Sequence, residues 1–173
     1  MTYDRDYILR MVREFATFLA RIVRSKDEGR TGVALADLDE AARIHVGLGM
    51  DLLEALPADQ LTMMLSIGGR LDVNRAYATG RLLAERADLA RRDGNDALAD
   101  VLDDRALQLL VDAAQAFGEF LNDAHCEAVI EGAERRLDSP TAVDPSVVCA
   151  LLDAQARFGR PGDVLRIADA LVA

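Results

Sequence analysis

An all-α fold of stacked antiparallel helix pairs is predicted by three features of this 173-residue sequence. Apolar residues recur once per helical turn over long stretches, and helix formers such as Ala, Leu, Arg and Glu dominate while β-branched residues rarely cluster. Short Gly, Pro and Asp motifs then divide the chain into helix-length segments. The length suits one domain spanning 1–173, with enough core to stand without staples.

The first helix is expected over Asp4–Arg24, with Tyr7, Ile8, Met11, Val12, Phe15, Phe18, Leu19, Ile22 and Val23 on one broad face and Arg10, Arg13, Glu14 and Arg21 elsewhere. Asp4 and Asp6 suit its positive end, and Arg24 and Lys26 its negative end. Residues 25–33 supply a turn. A second helix is expected from Leu35 to Leu56, with Leu38, Ala42, His45, Gly49, Leu52 and Leu56 in its apolar line. Gly47 and Gly49 each weaken it by roughly 1 kcal/mol relative to Ala, and are read as sites of close packing rather than a bend. Pro57 opens a short helix carrying Leu61, Met64 and Leu65, which stops around Gly68-Gly69.

Asp72 is the expected cap of a helix running to Arg92, with Val73, Ala76, Tyr77, Gly80, Leu83, Ala84 and Ala87 available for packing. Asp93-Gly94-Asn95-Asp96 is a sharp turn into a helix over Asp96–Phe117. A further helix is expected near Glu119–Leu137, ended by Ser139-Pro140. Asp144-Pro145 then starts a helix reaching Phe158, and Gly159-Arg160-Pro161-Gly162 turns into a last one over 161–172.

Residues 84–110 resemble the central part of a tetratricopeptide repeat. Ala87 and Ala99 stand at the small positions of the two helices, Gly94 at the turn and Ala106-Leu107 at the Ala-Leu pair; Asp103 departs from the motif by occupying its aromatic position. The order of segments also resembles a bacterial family of uncharacterised tetratricopeptide-like all-helical proteins, a domain of unknown function. The likeness rests on Arg5-Asp6-Tyr7-Ile8-Leu9-Arg10-Met11, Gly69-Arg70-Leu71-Asp72, Gly94 with Ala106-Leu107, and Phe158-Gly159. The resemblance implies a short tetratricopeptide-like superhelix and transfers no catalytic residue.

Thirty acidic against twenty basic residues give a formal charge of −10 with no long basic stripe, which argues against nucleic-acid binding. Aromatics make up 5% and Trp is absent, so neither an aromatic cage nor a base-stacking platform is expected. Cys126 and Cys149 form no CxxC pair, and no apolar run is long enough to span a membrane. The start of the sequence lacks a basic segment followed by an apolar run, so a cytoplasmic location without membrane attachment is expected.

His45 lies on an apolar line and reads as a buried or interfacial residue, whose ring needs hydrogen-bond partners or loses its tendency to charge. His125 and Cys126 are adjacent, so on a helix they diverge by about 100° and adjacency alone does not make them converge on one substrate or metal; Cys126 and Cys149 read as small buried hydrophobes. Glu119, Asp123, Glu127 and Glu131 fall at four-residue intervals as an acidic ridge, which reads as a solvated face of an acidic protein and is also a candidate docking face for a basic segment of a partner protein. Asp100, Asp103 and Asp104 form a second acidic group, for which Arg105 with Arg81 or Arg86 are the expected counterions. His45, Tyr77, Asp100 and Asp104 are candidates for an inter-helix pocket, and Phe15 and Phe18 for a homodimer interface. The glycine-containing segments 29–32 and 68–70 lack the features of a phosphate loop, and no nucleophile-elbow or metalloprotease motif occurs. The expected function is a helical scaffold or protein-interaction module that needs no cofactor or metal; the alternative is a small-molecule-binding protein or enzyme with an inter-helix pocket.

Overall fold

The computed structural model describes residues 2–117, 128–133 and 135, and it is an all-α helical bundle. In chain order the elements are α1 (Thr2–Asp27), α2 (Thr31–His45), α3 (Met50–Ala55), α4 (Ala58–Met64), the ribbon β1 (Ser66–Ile67) and β2 (Arg70–Leu71), α5 (Val73–Arg92) and α6 (Asp96–Phe117). Residues 128–133 are also helical, as expected; the remaining expectations beyond Phe117, including the final helix pair, lie outside the described residues.

Two of the turns use the same device. After α1, Gly29 has φ +69°, its N–H donates to Lys26 O and the Arg30 N–H donates to Ser25 O. After α5, Gly94 has φ +78°, with Gly94 N–H to Arg91 O and Asn95 N–H to Ala90 O. Each pair of bonds caps two helix-end carbonyls in the Schellman pattern, which needs a left-handed residue that glycine supplies without a Cβ clash. Asn95 Oδ1 then accepts from Leu98 N–H to start α6, as Asp72 Oδ1 accepts from Arg75 N–H to start α5. The Asp72 cap, the extent of α5 and the extent of α6 agree with the sequence reading.

The expected helix from Leu35 to Leu56 is two helices instead. Gly47 has φ +79°, which ends α2, and α3 starts at Met50. The break is favoured because side chains from elsewhere satisfy the new ends. Arg75 Nε on α5 donates to Val46 O at 2.9 Å, Asp39 Oδ1 on α2 accepts from Met50 N–H at 2.9 Å, and Arg105 on α6 donates to Glu54 O near the end of α3. Gly47 therefore marks a bend rather than close packing. Gly68-Gly69 also does more than stop a helix. With φ +59° and +77° they form the two-residue hairpin turn that pairs Ser66 with Leu71 and Ile67 with Arg70.

Helix α5 is the centre of the bundle. It packs most extensively on α6, and also touches α1, α2 and α3. Its small residues Ala76, Thr79, Gly80, Ala84, Ala87 and Ala90 are buried, together with Leu82, Leu83 and Leu89. Gly80 permits the closest approach: a Cβ there would lie 2.7 Å from Leu110 Cγ and 3.0 Å from Ala106 O. Ala99, Leu102, Ala106, Leu109 and Leu110 complete the α6 side of that seam. Phe15, Ile22, Leu38, Ala41 and Ala42 carry the core into the α1–α2 pair.

Candidate functional site

Charged side chains enter the interior where α1 meets α5. Lys26 Nζ donates to Glu85 and, at 2.7 Å, to Asp88; its side chain is 5% exposed and that of Glu85 9%. Arg92 donates to Lys26 O at 2.9 Å and pairs with Asp27 and Asp88, each at 3.3 Å. Burial raises the Asp88 pKa, but its hydrogen bond from Lys26 and the nearby cations hold it below the usual carboxylate value. Ion pairs so placed recover the cost of desolvation only while every partner is present, so they fix how the C-terminal half of α1 seats on α5.

A second group joins α5 to α6. Arg91 donates to Asp103 at 2.8 Å and lies 3.5 Å from Asp100, while Arg135 lies 3.8 Å from Asp103. Asp103 is 1% exposed. The expected counterions are thus partly wrong: Arg91 and Arg135 meet Asp100 and Asp103, whereas Arg86 pairs with Glu54, Arg81 with Glu131 and Arg105 with the Glu54 carbonyl. The short turn brings Arg91, in the last turn of α5, opposite the first turns of α6, whereas Arg81 and Arg86 lie farther back along α5.

His45 ends α2 and is buried against α1 between two phenyl rings. The Phe15 centroid is 5.1 Å away at 73° and that of Phe18 5.4 Å away at 79°, both edge-on contacts. Among the described residues its Nε2 has no hydrogen-bond partner. Burial holds the ring pKa below the ordinary histidine value, partly opposed by the charge of Glu14. Arg21 stacks over Phe18 at 4.5 Å and pairs with Asp37 and Glu40 at 3.0 and 2.6 Å, closing this cluster on its outer side.

The residues proposed for an inter-helix pocket are not gathered into one. His45 and Tyr77 lie toward the start of α5, where Arg75 caps Val46, whereas Asp100 faces Arg91 near its end. Fourteen residues separate Tyr77 from Arg91, or about 21 Å along a helix. Asp104 lies one turn beyond Asp100 and is half-buried. Phe15 and Phe18 are engaged by His45 within one chain. Of the acidic ridge only Glu131 is described; it is exposed and pairs with Arg81 at 3.0 Å, while Glu119, Asp123 and Glu127, like His125, Cys126 and Cys149, lie outside the described residues.

Lys26 and Glu85 were missed as buried groups, and Arg91 as the half-buried partner of Asp103. Their phase was a usable signal: Lys26 lies four residues after Ile22, and Glu85 three after Leu82 and four before Leu89, all of them buried. At the surface, Met63 and Ile67 are each 67% exposed and Met64 is 43% exposed, with Asp59 one turn before Met63. Among the described residues no group of three His, Cys, Asp or Glu side chains could hold a metal ion, and no helix is long and apolar enough to cross a membrane. No family model matches the chain, and no curated protein or solved structure matches it either.

Proposed function

We propose that this chain is a helical protein-interaction module whose docking edge is the α4–hairpin corner. The observation that carries this reading is the exposure of Met63, Met64 and Ile67 within five residues of sequence, on a bundle whose interior charges are engaged with one another. Exposed methionines form an adaptable apolar surface suited to a protein segment. Asp59 beside Met63 and the net charge of −10 favour a partner with basic residues flanking its apolar ones. The proposed architecture is tetratricopeptide-like. Ala87, Ala99 and Ala106 are buried, as the small positions of such a helix pair require, and Gly94 forms the turn between the two helices.

The test is affinity capture from the native extract with the intact protein and with a Met63→Glu, Ile67→Glu variant, followed by binding measurements on the recovered protein. A reproducible partner that the variant loses, and whose affinity falls with added salt, is the expected result. Capture of the same proteins by both forms, or of none, would overturn the proposal.

A further inference from the structure

The two ends of the α1 docking surface are held by different kinds of contact. At the C-terminal end the contacts are ion pairs: Lys26 with Glu85 and Asp88, and Arg92 with Asp27 and Asp88. Against the effect of burial, the Lys26 hydrogen bond and the neighbouring cations hold the Asp88 carboxyl below its ordinary value, so it keeps its charge in mild acid. Eight to eleven residues earlier, α1 is held to α2 through Phe15 and Phe18 against His45, a buried residue whose Nε2 has no partner among the described residues.

A proton added to that ring would place a cation and a new N–H donor between two phenyl rings and away from water. Among the described side chains, the groups available to answer it are few. From α1 come Glu14 and Arg21, the latter already paired with Asp37 and Glu40; from α5 comes Arg75, bound to Val46 O. On α2 itself Arg43 is paired with Asp39, and α3 contributes Asp51 near Arg43. Of these, only the charge of Glu14 acts on the ring, and desolvation outweighs it.

We infer that His45 is an acid-sensitive latch: protonation below neutral pH releases the Phe15–Phe18 segment of α1 from α2 while the Lys26 end stays anchored to α5. The sign follows from linkage. The folded ring binds its proton less readily than the unfolded chain, so its contribution is complete above the ordinary histidine midpoint of about 6.5. It is lost as pH falls from there through the lower folded midpoint, about tenfold in the closed population for each pH unit between the two.

Hydrogen exchange of the full-length chain, corrected for intrinsic rates, at about pH 7.5 and about pH 5.5 brackets this window. The expected result is a loss of protection over residues 13–22 of up to about tenfold relative to α5, absent in a His45→Leu variant. Equal protection at both pH values in the wild type, or the same loss in the variant, would overturn the latch. Should His45→Leu fail to fold, NMR titration of 13C-labelled histidine in the wild-type chain decides, with His125→Gln assigning the two signals. A His45 midpoint below about 6.5 supports the inference, and one at or above it refutes it.

Discussion

Gly80→Ala is the substitution on which the central packing claim can be judged most sharply. In a helix interior, replacing Gly by Ala ordinarily stabilises by about 1 kcal/mol, because Ala loses less backbone freedom on folding. At Gly80 the added Cβ would lie 2.7 Å from Leu110 Cγ and 3.0 Å from Ala106 O. The first is a side-chain branch point and the second is backbone, so relief requires α5 and α6 to separate. Overpacking of this kind costs about 1–3 kcal/mol. Two simultaneous contacts with atoms close to or in the backbone place the cost toward the upper end, for a net loss of about 1–2 kcal/mol after the helical gain. In a 173-residue chain that lowers the Tm by roughly 2–8 °C, measurable by far-UV circular dichroism. Gly32 is the internal control: it lies in α2 with nothing within 4 Å of a built Cβ, so Gly32→Ala should stabilise by about 0.4–1 kcal/mol. Combining Gly80→Ala with Leu110→Ala should cost at least about 0.5 kcal/mol less than the sum of the single changes. If Gly80→Ala raised the Tm as Gly32→Ala does, or if the double variant were simply additive, the close α5–α6 approach would be refuted.

Lys26→Met removes the cation that faces buried Glu85, and should destabilise by about 3 kcal/mol in urea denaturation. Adding Glu85→Leu should restore most of that loss, and failure of the second change to help would show that the ion pair is not what matters there. Asp112 on α6 is a different case: burial raises its pKa, opposed by hydrogen bonds from Gln108 and Thr62. Its folded midpoint lies above the unfolded one, so its contribution is fully present below the unfolded value of about 3.8 and is lost as pH rises through the folded midpoint. Asp112→Asn should remove that decline and raise stability at neutral pH by a few tenths of a kcal/mol, limited by partial solvent screening; an unchanged pH–stability curve would count against the assignment.

Much of the local structure was legible because its causes are local. Asp72 caps a helix and Asn95 the next, and Gly94 supplies a left-handed turn, through atoms within a few residues in the chain. Helical phase likewise marked Leu38, Ala87, Leu102 and Leu109 as core without knowledge of their neighbours. The break at Gly47 was not legible in this way. Two glycines allow a straight helix or a bend, and the choice falls to Arg75 and Asp39, which cap the broken ends from 29 and 11 residues away.

The candidate sites divide along the same line. That His45 sits on an apolar face, and that its burial weakens its affinity for a proton, follows from sequence and elementary electrostatics. That Phe15 and Phe18 flank it, that Lys26 meets Glu85 across 59 positions, and that Arg91 rather than Arg86 serves Asp103 follow only from the packing of α1 and α6 on α5. Periodicity specifies the face a residue occupies, because that depends on the helix alone. Its partner depends on where another helix lies along and around the first, and only the assembled bundle sets those coordinates.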